Sequence, residues 1–427
     1  MKNLKWWGLV SAAAVSIALA ACGGNGNSSS DSASLRVVNA TLNHPSIDLF
    51  VNAAASVSAT ASDTVSAYVA PASGGNTLQV NDAGGGTALA TIVPTLTGGN
   101  HYTLFAYESA GAVKTVVLNE DQVLPTAGSA YLRIYNVAAD AGKLDVYITD
   151  PSTTLANASS PISLTTGTTP FSTGYALQGA GTWRVRVTGY GNKSDLRLDM
   201  PLVLASQQVA TVVLSPTSGG VLLNGSTLIQ QSTYAATRNT NVRVRLAAAV
   251  SGSNSVVAAS AGSAVIDAGS LAPAFGYYAL VPASSTLNIS VNGASVGAPA
   301  TALAAGSDMT LLVYGPAASP AASLITDDNR PPSDTTTVKL RLINGITGSA
   351  GALTLTANTS LVAAGVAPGT ASGYVAVLGS ANPMNLSVTS SLAPGNYFTN
   401  ASNTLNSGSV YSVMMGGDAS APQMLIR

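Results

Sequence analysis

The sequence predicts an all-β protein made of four tandem immunoglobulin-like β-sandwich modules. Apolar residues alternate with polar ones in stretches such as KLDVYI (143–148) and TWRVRV (182–187), a period of two that is typical of strands with one buried face. Gly-rich clusters such as NDAGGG (81–86) predict tight turns between these strands. The same landmarks recur four times along the chain, which predicts tandem modules.

The N-terminus comes first in the chain and has its own pattern. Lys2 and Lys5 precede an apolar stretch, Trp6 to Ala20, which is shorter than the roughly 20 residues of a membrane span but suits a secretory signal peptide. Leu19-Ala20-Ala21-Cys22 then resembles the lipobox of bacterial lipoproteins. The resemblance implies a signal peptide over residues 1–21 and a lipid on Cys22 that makes the membrane a partner. The alternative is an ordinary signal peptide followed by an unrelated cysteine, although Cys22 is the chain's one cysteine.

The residues after Cys22 predict location and a tether. Gly23 stands where an Asp would favour retention in the inner membrane, so the expected location is the outer membrane, on its periplasmic side or at the cell surface. Residues 22–34 contain CGGNGNSSSDSAS, a composition typical of a flexible linker. With its one thiol lipidated, a mature chain of 427 − 21 = 406 residues must be held together by apolar cores without disulfides.

Each predicted module opens with a strand-like run that contains one arginine. The intervals between these four landmark arginines are 97, 112 and 96 residues. The landmark arginines are Arg36, Arg133, Arg245 and Arg341.

A tyrosine after a small residue follows each opening, and a strand-like run closes each module. The distances from landmark arginine to tyrosine are 32, 42, 32 and 33 residues. These landmark tyrosines are Tyr68, Tyr175, Tyr277 and Tyr374. The expected modules span 35–125, 130–232, 241–327 and 337–427, with TDDNRPPSDTTT (326–337) as a Pro-rich, charged linker.

The openings LRVVNA…IDLFV and LRIYNV…LDVYI resemble a bacterial family, domain of unknown function 4397. The resemblance covers most of residues 35–427 and is strongest in the first two modules. It implies exported, often lipid-anchored β-sandwich modules, and it implies no activity. The third and fourth modules depart from the motif, because Val257 and Leu353 stand twelve residues after the arginine where the first two modules have Asp.

Two sets of landmark residues are candidates for a site. Arg36 and Asp48 are twelve residues apart, as are Arg133 and Asp145, so each pair could meet across antiparallel strands, either as a polar ligand site or as a surface ion pair; the surface pair is expected. The landmark tyrosines could form a platform that stacks on sugars. The expected role is packing at a sheet corner with a hydrogen-bonded hydroxyl.

Composition argues against most chemistry. Charged residues are 8% and the net charge is −1, so no basic field attracts nucleic acid. Gly293-Ala-Ser295-Val-Gly297 matches a nucleophile elbow, but both histidines, His44 and His101, lie upstream, which disfavours catalysis.

Metal and cofactor sites are not expected either. Two distant histidines and a lipidated cysteine do not make a zinc site. Asp327-Asp328-Asn329 is interpreted as a solvated spacer, with a weak calcium site as the alternative. The sequence therefore predicts a non-enzymatic, lipid-anchored envelope protein with a structural, adhesive or interaction role and an envelope protein or polysaccharide as partner. The alternative is a lipoprotein that binds a polysaccharide or a small ligand.

Overall fold

The computed structural model describes residues 31–164, 170–348, 350–379, 383–392 and 395–427. Over these residues the chain forms 38 strands and one short 3-10 turn, Ala139–Ala141. The prediction of an all-β chain of tandem β-sandwiches is confirmed. Cys22, the signal peptide and the tether up to residue 30 lie outside the described residues. Among the described segments, none forms a helix with the length and hydropathy needed to cross a bilayer.

The strands fall into four sets, which we call modules 1 to 4. Module 1 contains β1 Ser34–Ala40, β2 Ser46–Val51, β3 Ala54–Ala61, β4 Thr64–Val65, β5 Gly74–Gly75, β6 Leu78–Asp82, β7 Ala88–Ile92, β8 Thr95–Leu96, β9 His101–Ser109 and β10 Ala112–Asn119. Module 2 contains β11 Ser129–Asn136, β12 Leu144–Thr149, β13 Ile162–Leu164, β14 Phe171–Ser172, β15 Ala176–Gly179, β16 Gly181–Gly189, β17 Asn192–Leu204, β18 Val209–Pro216, β19 Leu223–Ile229 and β20 Tyr234–Thr237.

The second half of the chain repeats this arrangement. Module 3 contains β21 Asn241–Ser251, β22 Val256–Ala261, β23 Ala264–Leu271, β24 Ala274–Phe275, β25 Ala279–Pro282, β26 Leu287–Val291, β27 Ala294–Val296, β28 Asp308–Pro316 and β29 Ala321–Asp327. Module 4 contains β30 Thr337–Asn344, β31 Leu353–Ala357, β32 Ser360–Val366, β33 Thr370–Ala371, β34 Val375–Leu378, β35 Met384–Ser390, β36 Asn396–Asn403, β37 Val410–Asp418 and β38 Ala421–Ile426.

Every module has the same two main sheets. The first-strand sheet holds the module's opening strand, in the orders β10-β9-β1-β4, β20-β19-β18-β11-β14, β29-β28-β21-β24 and β38-β37-β30-β33. The second-strand sheet has the orders β3-β2-β6-β7, β13-β12-β16-β17, β23-β22-β26-β27 and β32-β31-β35-β36. In each first-strand sheet the opening strand runs parallel to a late strand, namely β9, β18, β28 or β37. This parallel pairing closes each sandwich by joining the start of the module to its end.

Alternating side chains fill the core between the two sheets. β2 and β11 alternate strictly between buried and partly exposed positions, as the period-two pattern predicted. In module 1 the core includes Leu35, Val37, Ile47 and Leu49. The same kind of aliphatic core fills each of the other three modules.

The first-strand sheets are buried on both faces, unlike the one-faced strands expected from the sequence. All eight residues of β18 are buried, as are seven of the nine in β9. Their outer faces pack against a neighbouring module, because one apolar cluster joins module 1 to module 2 and another joins module 3 to module 4. The four sandwiches therefore associate as two pairs, module 1 with 2 and module 3 with 4.

Candidate functional site

The landmark arginines occupy the same position in every module. Each lies on the opening strand, directly opposite a hydroxyl residue of the parallel late strand. Each Nε donates to that hydroxyl oxygen, in Arg36–Thr103 (3.0 Å), Arg133–Thr211 (2.8 Å), Arg245–Thr310 (2.9 Å) and Arg341–Ser412 (2.9 Å). The recurring arginine is therefore the donor of a recurring bond across the parallel strands.

A tyrosine ring lies against each landmark arginine. The guanidinium carbon is 5.0 Å from the ring centroid in Arg36–Tyr68, 4.6 Å in Arg133–Tyr175, 4.7 Å in Arg245–Tyr278 and 4.6 Å in Arg341–Tyr374. These are cation–π distances. In this arrangement one ring face is covered by the guanidinium, which favours the expected packing role over a sugar platform.

The third landmark tyrosine was assigned one residue too early. Tyr278 is the residue that stacks on Arg245, while Tyr277 is 76% exposed and lies against Arg427 at 3.9 Å. The motif GYY contains both residues, and spacing alone could not separate them. Tyr277 is thus a surface residue. It lies outside the constellation of module 3, by which we mean the recurring arginine, hydroxyl residue and stacked tyrosine of a module.

The expected pairs Arg36–Asp48 and Arg133–Asp145 do not form. Each arginine is in the first-strand sheet, whereas each aspartate is in the second-strand sheet. Asp48 instead accepts hydrogen bonds from the amides of Ala59 (2.7 Å) and Gly84 (2.9 Å). Asp145 accepts one from the Gly191 amide (2.8 Å) and one from the Ser163 hydroxyl (2.6 Å). Both aspartates therefore hold the turn that follows the neighbouring strand.

In modules 3 and 4 the outward-facing position that Asp48 and Asp145 hold in modules 1 and 2 falls one residue later. Val257 and Leu353 face the core, and Ala258 and Thr354 take the outward position in β22 and β31. The Thr354 hydroxyl oxygen accepts a hydrogen bond of 3.1 Å from the Gly365 amide. Module 4 therefore keeps a neutral version of the aspartate bond.

Modules 3 and 4 exchange bonds from their landmark arginines. Arg245 in module 3 donates to the Ser412 hydroxyl in module 4 at 2.8 Å, and Arg341 in module 4 reaches back to the Thr310 hydroxyl in module 3 at 3.3 Å. Asp327 bonds to Arg341 and lies 3.5 Å from Arg245. Two buried cations thus share one buried carboxylate.

The ionisation of these groups follows from their burial. Burial raises the pKa of the Tyr278 hydroxyl well above its ordinary value, and the nearby Asp327 carboxylate adds to the rise. Burial likewise raises the pKa of Tyr374. Burial opposes the charge on Arg341, but the neighbouring groups, Asp327 first among them, together outweigh burial and raise the pKa of the guanidinium. The interface therefore contains charged arginines, a carboxylate partner and neutral phenols.

The contact between modules 1 and 2 also contains a landmark arginine and a carboxylate, but here both belong to the same module. Arg36 binds the Glu120 carboxylate with two nitrogens, at 3.0 and 2.6 Å, and both side chains are almost fully buried. Arg36 also donates to the Ile229 carbonyl of module 2 at 3.2 Å, and the Gln231 side chain of module 2 donates to the Glu120 carbonyl at 3.0 Å. The ion pair is therefore built into the contact between modules.

Arg133 has no carboxylate partner among the described residues. Glu120 and Asp327 stand two residues past the strand partner of their module's hydroxyl residue, and Gln230 holds that position in module 2. Arg133 is partly exposed, and burial lowers the pKa of its guanidinium. Module 2 therefore carries the weakest copy of the constellation.

Glu120 and Asp327 are the residues that sequence reasoning missed. Asp327 was interpreted as part of a solvated spacer, but it is 1% exposed and accepts bonds from three side chains, those of Tyr278, Thr310 and Arg341. That interpretation is wrong for Asp327. A usable signal was present, because Thr103 to Glu120 and Thr310 to Asp327 are both 17 residues apart.

A separate cleft of about 1230 Å³ opens where modules 1, 2 and 4 meet the 328–335 segment. Asp328 binds Arg330 at 2.6 Å and Lys339 at 2.8 Å, and Arg330 lies 3.8 Å from Asp140 of module 2. Burial raises the pKa of Asp140. Burial also acts to raise the pKa of Asp328, but Arg330 and Lys339 outweigh it and the pKa is lowered. The segment expected to be a linker is thus fixed by ion pairs.

The described residues contain no group of three or more His, Cys, Asp or Glu side chains placed to hold a metal. His44 contacts Asp82 at 2.5 Å, and His101 contacts Asp121 at 2.9 Å. These two histidines lie in separate clusters of module 1.

One comparison with known proteins finds a similarity over part of the chain. Residues 33–147 match the family model described as "Domain of unknown function (DUF4397)", so this region is similar to that family. The match spans module 1 and extends into β12 of module 2, and it includes the openings around both Arg36 and Arg133. No curated protein matches the chain.

Similarity to solved structures is weak. The Bacillus anthracis TIE protein has 7% sequence identity and a TM-score of 0.16, with 70% of this chain and 49% of that chain covered. A product complex of the multi-modular glycogen-degrading pneumococcal virulence factor SpuA has 10% identity and a TM-score of 0.17, with 86% and 35% covered. The chain therefore spans about half or less of the structures it matches, and these scores support no inference about function.

Proposed function

We propose that this protein is a non-enzymatic, lipid-anchored envelope protein whose modules act as a structural, adhesive or interaction unit. One observation carries the proposal. The landmark arginines of modules 1, 3 and 4 donate hydrogen bonds across the contacts between modules, Arg36 to the Ile229 carbonyl, Arg245 to Ser412 and Arg341 to Thr310. Groups used in this way stabilise a multi-module block and are not free for catalysis.

The arrangement suits a presentation role. An apolar cluster joins the modules of each pair, and a buried ion pair crosses between modules 3 and 4, whereas small or weakly packed contacts between domains favour relative motion. Modules 2 and 3 are joined in turn, because Arg243 lies 3.3 Å from both Asp195 and Asp308. We infer a firm chain of sandwiches that holds its outer second-strand sheets at fixed positions.

The lipid anchor is the part of the proposal that Cys22 carries. A diacylated or triacylated cysteine would bind a membrane far more strongly than one acyl chain does. The described contacts of the fold begin at Asp31, whose carbonyl accepts a hydrogen bond from the Ser73 amide at 2.8 Å, so the residues between Cys22 and Asp31 would form the tether. The outer membrane is the proposed location.

Replacing Cys22 with Ser tests the anchor. We expect the C22S chain to leave the membrane fraction and lose labelling by a palmitate analogue, while a Ser29→Ala chain stays lipidated and membrane-bound. Membrane association of C22S at the level of the original chain would overturn the anchor. Protease treatment of intact cells, followed by mass spectrometry, then distinguishes the cell surface from the periplasm.

A second candidate function is binding of a polysaccharide or small ligand. The cleft favours it, because ligand sites in proteins are concave and the volume of about 1230 Å³ exceeds the roughly 300–1000 Å³ of a small-molecule site. Titration of the full chain with a panel of neutral and acidic oligosaccharides tests this function separately from the anchor.

A further inference from the structure

We propose that the cleft between modules 1, 2 and 4 binds an acidic oligosaccharide, a chain of sugars that carry carboxylate groups. The inference rests on the second candidate function and names its ligand class. It does not depend on the lipid anchor.

The charges of the cleft favour an anionic ligand. Its lining contains three cations, Lys143, Arg330 and Lys339, and two carboxylates, Asp140 and Asp328. Arg330 and Lys339 share Asp328. The exposed Lys143 ammonium has no partner in the part of the chain that the structure describes. One positive charge is therefore left for a ligand to neutralise.

The lining of the cleft also includes an exposed aromatic residue that is bonded to Lys143 through the backbone. Tyr190 is 54% exposed and lines the same cleft, and its amide donates to the Lys143 carbonyl at 3.1 Å. An exposed tyrosine offers an apolar ring face with a polar hydroxyl at its edge. A sugar ring has the matching surface, because its C–H groups form an apolar face and its hydroxyls lie around the rim. A uronic acid could thus stack on Tyr190 while its carboxylate meets Lys143.

The rest of the lining favours a sugar over a peptide. It consists mainly of small polar residues and of glycines, which expose their backbone groups. Among them are the Ser109–Gly111 turn, Gly142, Ser407 and Gly408. Such walls offer hydrogen-bonding groups but no deep apolar pockets of the kind that anchor peptide side chains. The volume admits several sugar units, so the ligand is an oligomer.

The test uses the full chain in detergent and three hexamers: a hexauronate, a neutral hexasaccharide and hexaglutamate. In calorimetric titrations we expect the hexauronate to bind, with affinity that falls as salt rises. Lys143→Ala should weaken hexauronate binding by about fivefold, which corresponds to ~1 kcal/mol for an exposed ion pair. Tyr190→Ala should weaken it by a similar factor, and Tyr190→Phe should keep most of the affinity.

Lys114→Ala is the matched control, because Lys114 is also exposed but lies on β10, away from the cleft lining. Neither Lys143 nor Tyr190 packs in a core, so melting temperatures without ligand should be unchanged. Equal binding of hexauronate by Lys143→Ala and the original chain would overturn the inference. Preference for the neutral sugar would overturn it but keep the second candidate function. Equal binding of hexaglutamate would overturn the choice of a sugar. Binding of none of the three hexamers would overturn both this inference and the second candidate function.

Discussion

Arg245 in module 3 donates a hydrogen bond of 2.8 Å to Ser412 in module 4, and each residue belongs to the same constellation of its own module. Arg341 returns a bond to Thr310 at 3.3 Å. The contact between the modules is therefore close to symmetric, as in a contact between two copies of one protein. Asp327 breaks the symmetry, because one carboxylate serves both arginines.

Removal of the Asp327 charge should be costly. In Asp327→Asn the guanidinium groups of Arg245 and Arg341 stay buried without their carboxylate, and loss of one partner from a buried pair typically costs about 3–5 kcal/mol. Urea denaturation should show this decrease in the free energy of unfolding. Asp418→Asn is the control, because Asp418 is exposed at the end of β37. Equal stability of the two variants would contradict a structural role for the Asp327 charge.

Arg36 and Arg133 should contribute different amounts to the free energy of unfolding. Arg36→Ala leaves Glu120 buried without its cation, so we expect a loss of about 3–5 kcal/mol. Arg133 bonds to Thr211 and stacks on Tyr175 but has no described carboxylate partner, so Arg133→Ala should cost only about 1 kcal/mol. The urea midpoints of the two variants give the comparison. An equal loss would show that Glu120 does not distinguish the two sites.

Asp48 and Asp145 should protect particular amides. In Asp48→Ala the Gly84 and Ala59 amides lose their acceptor, so their hydrogen exchange should speed up by about tenfold for a lost bond of ~1.4 kcal/mol. Asp145→Ala should do the same to the Gly191 amide and leave Gly84 unchanged. Each variant thus serves as the control for the other, and unchanged exchange at Gly84 in Asp48→Ala would contradict the role.

The sequence was informative about local structure and less so about contacts between modules. Strand alternation in β2 and β11, the positions of the landmark arginines and the tandem sandwiches were predictable, because they depend on side-chain period and spacing. The partners of Arg36 and Asp48 were not, because the β1–β2 connection passes from one sheet to the other and twelve-residue spacing does not reveal this. Burial of Asp327 was also hidden, since it depends on a module whose sequence begins ten residues later, at Thr337.

Close packing between modules 3 and 4 makes Gly345 sensitive to substitution. A Cβ at Gly345 would lie 2.2 Å from the Ala249 Cβ of module 3 and 3.0 Å from the Met415 carbonyl oxygen. Gly345→Ala should therefore force the modules apart, with a cost of about 1–3 kcal/mol from overpacking. Gly373→Ala in the same module is the control, because its Cβ would meet nothing within 4 Å. Thermal unfolding should separate the two variants, and equal melting temperatures would contradict the contact.

Asp308 should make the free energy of unfolding depend on pH. Its contribution should fall as the pH rises, whereas that of most aspartates increases. Its side chain is fully buried, and its Oδ1 atom has no hydrogen-bond donor within the described ranges. Burial raises the pKa of the Asp308 carboxyl, although Arg243 and Asn329 pull it the other way. The folded chain therefore holds this proton more tightly than the unfolded chain does.

The contribution of Asp308 to stability is consequently largest below the ordinary Asp pKa of about 4, and it is lost as the pH rises through the raised folded value. Asp308→Asn removes this titration, so the free energy of unfolding should fall less steeply with rising pH in the variant than in the original chain. Urea denaturation at a series of pH values from about 4 to 7 measures the difference. The exposed-site variant Asp418→Asn should follow the original chain across the series. A difference between Asp308→Asn and the original chain that stays constant with pH would show that the Asp308 carboxyl keeps its ordinary pKa, and that Arg243 and Asn329 compensate fully for its burial.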